Sequence, residues 1–185
     1  MKAKPGIYDP LKLDKSEFCH PVEQKFEWFY DQINGTPRQA TWTPVTMRLI
    51  HKTEGRKLVR SDSPWLGAYA LIFRRSAIEA LGPMLREHGE LLPLECPEAE
   101  LWVYNPTRVI DALDEEASTI HRFKSGKIMR IKRYVFKAHL IEGVDIFKLP
   151  NLRAESTFVS HRFVDLWNES KLTGLEFTPV WSFPD

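Results

Sequence analysis

Thirteen prolines distributed from Pro5 to Pro184 are the strongest constraint on how this chain can fold. Proline has no amide hydrogen and its ring fixes φ, so it interrupts helices and the interior of sheets. The prolines are spread along the chain rather than gathered in a linker, and no repeat or low-complexity segment divides it. We therefore expect short helices and strands in a single domain over residues 1–185, with a core drawn from the 43% of hydrophobic residues.

Four segments predict helices from their capping residues and apolar spacing. The apolar residues of segment 26–33 recur at i, i+3, i+4 and i+7, which indicates one buried helical face. Ser76 and Glu79 form a capping-box pattern that predicts a helix beginning at Ser76. Asn105-Pro106 predicts a short helix that carries Val109 and Leu113, and Ser160 predicts a C-terminal helix that ends before Gly174.

Between these helices the sequence predicts short strands. Two β-rich runs, Thr119–Phe123 and Lys127–Ile141, flank Lys124-Ser125-Gly126 and predict a hairpin near residues 119–141. The run Val45–Ile50 is expected to pair with Leu58–Arg60. A last strand over Leu175–Val180 is expected at a sheet edge, because Pro179 cannot donate to a ladder. The fold class is α+β, with mixed short strands and several helices packed on the sheet.

Composition favours a cytoplasmic protein that does not enter a membrane. The longest apolar run, Leu66–Phe73, is eight residues, whereas a spanning helix needs about 20. Residues 1–7 carry charge but no following apolar stretch, so no export signal is expected. Two cysteines, Cys19 and Cys96, are too few for a disulfide scaffold.

The sequence lacks the patterns that identify common catalytic and cofactor sites. Six histidines are present, but no H-E-x-x-H or C-x-x-C pattern supports a zinc site. The chain also has no G-x-S-x-G elbow, no P-loop and no G-x-G-x-x-G. We therefore predict no catalytic, metal-ligating or cofactor-binding residues and no cofactor.

Charge is strongly segregated although the formal net charge is only +1. Residues 87–116 contain nine acids and one base, and residues 122–137 contain seven bases and no acid. The two blocks can either pair with each other within the fold or leave one block as a docking surface, where a strong local field speeds encounter with a partner. The acids predicted to bind a partner are Glu95, Glu98, Glu100, Asp114, Glu115 and Glu116.

Two alternative functions use the same blocks. The basic segment 122–137 interleaves Phe123, Tyr134 and Phe136 with Arg and Lys, in the manner of a nucleic-acid stacking platform. Asp111 and Asp114 could instead serve as the acids of a small enzyme.

Several stretches, in their order and spacing, resemble the immunity protein family numbered eleven of bacterial polymorphic toxins, a former domain of unknown function common in myxobacteria and other Proteobacteria. The resemblance spans residues 33–181 and leaves residues 1–32 as a variable N-terminal segment. The stretches are Ile33-Asn34-Gly35-Thr36-Pro37, Trp42-Thr43-Pro44-Val45, Ser61-Asp62, Phe73, Gly89-Glu90-Leu91-Leu92-Pro93-Leu94, Val109-Ile110-Asp111-Ala112-Leu113-Asp114, Gly126-Lys127-Ile128, Ile146-Phe147-Lys148-Leu149-Pro150, Phe158-Val159-Ser160, Leu172-Thr173-Gly174-Leu175-Glu176-Phe177 and Val180-Trp181.

This resemblance implies a non-catalytic protein that binds and neutralises a cognate secreted toxin domain by stoichiometric protein–protein interaction. It carries over no site residues. The partner expected from it is a protein, not a membrane, and it leaves the oligomeric state open.

Overall fold

The computed structural model describes residues 2–23, 25–152 and 155–183. These residues form a mixed fold of short antiparallel strands and four α-helices, as the distribution of prolines predicts. The predicted α+β class is confirmed. The helices are α1 (Phe26–Gln32), α2 (Arg75–His88), α3 (Ala138–Ile141) and α4 (His161–Glu169). The strands are β1 (Gly6–Lys12), β2 (Phe18–Pro21), β3 (Met47–Ile50), β4 (Lys52–Thr53), β5 (Arg56–Lys57), β6 (Ile72–Arg74), β7 (Gly89–Leu94), β8 (Leu101–Pro106), β9 (Thr119–Arg122), β10 (Ile128–Arg133), β11 (Ile146–Phe147), β12 (Phe158–Ser160) and β13 (Leu175–Ser182).

The largest sheet joins the N-terminal strand to the C-terminal part of the chain. Its order is β11-β12-β1-β13, and all of its neighbours are antiparallel. Strand β13 lies at the edge, as Pro179 predicts. Helix α4 follows β12, and the Ser160 hydroxyl accepts hydrogen bonds from the amides of Arg162 (3.1 Å) and Phe163 (3.3 Å), which confirms the predicted cap.

A second sheet, β6-β8-β7, supports helix α2. The helix begins at Arg75, one residue earlier than predicted, and the capping box is wrong. Ser76 lies inside the first turn, and its hydroxyl donates to the Asp62 carboxylate. The helix is present, therefore, but a carboxylate from the preceding loop, 14 residues earlier, engages the hydroxyl that the pattern assigned to a cap.

Two other predictions from the sequence are wrong. Strand β3 pairs with β2 rather than with residues 58–60, because β4 and β5 form a tight hairpin of their own and only the Leu58 amide reaches back, to the His51 carbonyl (2.8 Å). Asn105 does not begin a helix. Its side chain accepts from the Gly35 amide (3.0 Å) and donates to Glu90 (3.1 Å), so it closes strand β8 and leaves residues 107–117 without a helix.

The predicted hairpin is confirmed and consists of β9 and β10. Gly126 has φ +82° at its turn, a left-handed conformation that glycine adopts without strain. The second strand ends at Arg133 instead of continuing to Ile141, where the short helix α3 lies. None of the helices in the described part of the chain is long and apolar enough to cross a membrane.

An aromatic core fastens the exit of this hairpin to the four-stranded sheet. The Phe136 ring lies 5.7 Å from Phe147, 5.5 Å from Phe158 and 5.8 Å from Trp181, measured between ring centroids. All three contacts are edge-on, an arrangement that aromatic pairs favour. Phe136 itself is buried, so the hairpin is held by packing at its base while its turn extends away.

Two buried basic side chains tie loops to the core. Arg74 donates to Glu17 (2.7 Å) and to the Ser61 carbonyl (2.8 Å), and Glu17 is fully buried. Lys148, also fully buried, donates to the carbonyls of Tyr69 (3.0 Å) and Glu155 (3.0 Å). Lys148 therefore connects the segment after β11 to a loop that lies far away in the sequence.

Burial gives Lys148 a measurable role in the pH dependence of stability. Desolvation lowers the pKa of Lys148 from 10.5 to about 7, against a smaller opposing effect of Glu155. Above pH 7 the unfolded chain then binds a proton that the folded protein has released, so stability should rise with pH. The rise should end near pH 9, where ionisation of Cys19 in the unfolded state begins to oppose it, because burial raises the pKa of Cys19 in the fold.

We predict that the free energy of unfolding increases between pH 7 and 9 by at most about 1.4 kcal/mol per pH unit, and that Lys148→Met loses this increment. Urea denaturation of both proteins across this range measures the two slopes. Equal slopes would show that Lys148 does not titrate in the fold.

Candidate functional site

A surface groove runs between the loop 111–116, the β9–β10 hairpin and the segment that follows β11. Its two main hollows have volumes of about 420 Å³ and 650 Å³ and share Asn151 as a lining residue. The smaller hollow is lined by the acids of loop 111–116 together with Lys137. The larger is lined by Arg122, Lys127 and the turn between them, with Glu155 opposite. The groove is thus acidic at one end and mainly basic at the other.

The acidic end is held in shape by backbone hydrogen bonds. The Asp114 carboxylate accepts from the Ala117 amide (3.0 Å), and the Asp114 amide donates to the Val135 carbonyl (2.8 Å). Lys137 donates to the Ala112 carbonyl through its backbone amide (2.8 Å). Loop 111–116 is therefore fastened to the chain just beyond β10, which fixes the distance between the two walls of the groove.

The acids and bases of the groove are partly paired. Glu115 forms an ion pair with Arg122, whose guanidinium also donates to the Gly126 carbonyl (2.9 Å). The Lys137 ammonium lies 3.9 Å from the Asp111 carboxylate. Glu116 is exposed and makes no hydrogen bond or ion pair with the residues that the structure describes. Some charges of the two blocks therefore pair within the fold, whereas Glu116 is left exposed. Both alternatives that the sequence offered for the charge blocks are thus present here.

The structure separates the six acids predicted to bind a partner into two groups. Asp114, Glu115 and Glu116 come together at the acidic end of the groove. The other three precede β8, whereas loop 111–116 follows it, so the strand lies between the two groups in the chain.

Each acid of that other group holds a neighbouring element. Glu95 accepts from the Thr46 hydroxyl (3.0 Å), and Glu100 pairs with Arg75 through both carboxylate oxygens (2.7–2.9 Å). Glu98 accepts from His51 (2.8 Å) and from the Leu49 amide (3.3 Å), and the His51 hydrogen bond lowers the pKa of Glu98. These three side chains are exposed, but their carboxylates already have partners.

One polar cluster was missed by sequence reasoning. His51 lies between two carboxylates, with Nδ1 3.3 Å from Glu17 and Nε2 2.8 Å from Glu98, and Glu17 in turn binds Arg74. These residues lie far apart in the sequence and form no motif, so no local signal identifies them. Within residues 2–23, 25–152 and 155–183, no group of three or more His, Cys, Asp or Glu side chains could hold a metal ion. The cluster connects loops around β3 and β6.

A comparison with known protein families finds a match to the part of the chain that contains the groove. The model of an immunity protein family, Imm11, matches residues 95–182. Over these residues the chain is similar to the immunity protein family Imm11. The family predicted from the sequence is confirmed over this region, and the resemblance of residues 33–94 stays a prediction. No curated protein matches the chain.

The Imm11 region contains every element that lines the groove. Loop 111–116, the β9–β10 hairpin and the segment after β11 all fall within it, as do α4 and β13. Strand β1 and helix α2 lie outside it but pack against it. The N-terminal strand therefore completes the sheet of the Imm11 region.

We expect the acids of the groove to contribute little to stability. The variant Asp114→Asn/Glu115→Gln/Glu116→Gln keeps the acceptor that caps Ala117 and removes three charges. Because exposed ion pairs contribute about 0–1 kcal/mol, its free energy of unfolding should fall by less than about 1 kcal/mol. Glu17→Gln, which leaves Arg74 buried without its charged partner, should cost about 3–5 kcal/mol. Denaturant unfolding compares the two, and equal losses would mean that the groove acids are structural.

Proposed function

We propose that this protein is an immunity protein that binds and neutralises a cognate toxin domain, acting in the cytoplasm as a stoichiometric inhibitor and not as an enzyme. The observation that carries the proposal is the Imm11 match over residues 95–182, because that region contains the whole groove. The groove is exposed, its walls are fastened by backbone hydrogen bonds, and its two ends carry opposite charge. These properties suit recognition of one partner in one orientation.

We propose that the acidic end of the groove, Asp114, Glu115 and Glu116, contacts the toxin. Glu116 is exposed and unengaged within the described ranges, and Glu115 shares its charge with an equally exposed arginine, so both carboxylates can meet a partner with little rearrangement. A basic patch on the toxin is the complement of this end. For Glu95, Glu98 and Glu100, contact with the toxin would compete with the bonds that their carboxylates make to Thr46, His51 and Arg75.

Stoichiometry distinguishes an inhibitor from an enzyme that reverses toxin damage. We expect toxin activity to fall in proportion to added protein and to vanish at about one equivalent, because a tight binder removes toxin by mass action. The measurement is a titration of the purified cognate toxin domain at concentrations far above the dissociation constant. Full protection at a small fraction of an equivalent would contradict binding and would favour the enzyme alternative.

Charge removal at the acidic end should slow association with the toxin. For Asp114→Asn/Glu115→Gln/Glu116→Gln, we expect the association rate constant at roughly 50 mM salt to fall about tenfold, and the difference to shrink at roughly 500 mM salt, where screening is strong. Stopped-flow or surface-based kinetics measures both rates.

The matched control is Glu95→Gln/Glu98→Gln/Glu100→Gln, which removes the same number of charges from the other acidic group. An unchanged rate in this control together with a slower rate in the first variant locates the contact at the groove. The opposite pattern would move the contact to the acids before β8.

A further inference from the structure

The second strand of the basic hairpin turns two side chains outward for each one that it turns inward. Strand β10 pairs with β9 at Ile128 opposite Arg122 and then at Arg130 opposite His121, which leaves Met129 as an extra residue. The same irregularity recurs between Ile131 and Arg133, where Lys132 is extra. Each is a β-bulge, a feature that re-aims side chains and increases the local twist.

The two bulges change the spacing of the inward side chains from two residues to three. Ile128, Ile131 and Tyr134 all pack into the aromatic core around Phe136. The residues between them, Met129 and Arg130 and then Lys132 and Arg133, are exposed. A regular strand would alternate one inward and one outward residue, so the bulges concentrate outward side chains on a short hairpin.

The outward face of the hairpin carries mostly cationic side chains, and most of these form no ion pair. Arg122 pairs with Glu115, and Arg133 donates to the Ala117 carbonyl (2.6 Å). In the described part of the chain, the side chains of the four other cationic residues of the hairpin make no ion pair or hydrogen bond. These four are Lys124, Lys127, Arg130 and Lys132.

Two large apolar side chains stand among these cations. Phe123 is 52% exposed at the start of the turn, and Met129 is 54% exposed at the first bulge. Arginine, methionine and aromatic residues are the types enriched at the centre of protein interfaces. Methionine also adapts its shape to the surface that it meets.

The same geometry disfavours a nucleic-acid platform. Of the three aromatics that the sequence places in such a platform, only Phe123 faces outward. Tyr134 stacks on Phe136 with ring centroids 5.7 Å apart and contacts Phe158, and Phe136 is 3% exposed. A single outward aromatic cannot stack successive bases, which is how such platforms hold single strands.

We propose that the outward face of the β9–β10 hairpin docks on an acidic surface of the toxin domain, with Phe123 and Met129 entering apolar depressions there. This inference rests on the proposed function and names a second part of the same interface. Together with the acidic end of the groove, it assigns the toxin a surface with a basic region next to an acidic one. Opposite charges at adjacent positions fix the orientation of docking and reject the reversed one.

The test compares two basic hairpins of the same chain. The first variant reverses Lys124, Lys127, Arg130 and Lys132 to Glu. The control reverses Lys52, Arg56, Lys57 and Arg60 to Glu, four exposed cations in and after the β4–β5 hairpin, outside the Imm11 region. Thermal unfolding first establishes that both variants fold.

We expect the first variant to associate with the purified toxin domain at least about tenfold more slowly at roughly 50 mM salt, and the control to keep the wild-type rate. Phe123→Ala/Met129→Ala should leave association nearly unchanged and speed dissociation about tenfold, since apolar anchors act mainly on the lifetime of a complex. Equal rates for the first variant and the wild type would overturn the proposal.

Fluorescence anisotropy with a short single-stranded DNA tests whether the hairpin binds nucleic acid instead of a toxin. Wild-type binding that weakens steeply with salt, together with an unchanged toxin rate in the first variant, would assign the hairpin to nucleic acid and overturn the proposal. A wild-type association rate in that variant, together with full protection at one equivalent, would refute the hairpin contact while leaving the immunity function intact. Failure of the wild type to bind the toxin would refute both.

Discussion

The packing of Phe136 is the constraint on which the candidate site depends. Its ring is enclosed by Phe147, Phe158 and Trp181, which come from three strands of the four-stranded sheet. Phe136 lies just after the hairpin, and backbone bonds from residues 112–114 to residues 135–137 fasten the acidic loop to the same point. Both walls of the groove are therefore anchored to one aromatic core. Burial of these rings stabilises the fold, so the charged side chains above the core need contribute little to stability and remain available for recognition.

Buried charges perform a different task from the exposed ones. Arg74 and Glu17 form an ion pair inside the protein, and Lys148 holds two carbonyls that lie far apart in the chain. Such groups specify one arrangement of loops, because any other arrangement would leave a polar group buried without a partner. Lys148 does not line the groove, but it holds the backbone of Glu155, a residue that does. The position of this wall therefore depends on a buried amine as well as on aromatic packing.

Sequence reasoning succeeded where the signal was local and failed where a distant partner decided. The Ser160 cap, the turn at Gly126 and the edge strand at Pro179 depend on neighbouring residues, and all are confirmed. Asn105 and Ser76 have the chemistry of helix caps, but Gly35 and Asp62 engage them across the fold. The bulges of β10 were missed because a period of three at Ile128, Ile131 and Tyr134 matches neither a regular strand nor a helix. The acidic block divided into two groups because strand β8 runs between them, which no count of charges along a chain can reveal.

The match to Imm11, the fixed groove and the doubled exposure of β10 together support a protein that acts by presenting a rigid, two-signed surface to a toxin. Hydrogen exchange of the protein alone and in complex with the purified toxin domain tests this claim most directly. The account predicts that toxin binding slows exchange in loop 111–116 and across residues 119–133, with little change in α1 or at residues 95–100. Protection confined to α1, to the β4–β5 hairpin or to residues 95–100, with unchanged exchange in the groove and the basic hairpin, would contradict it.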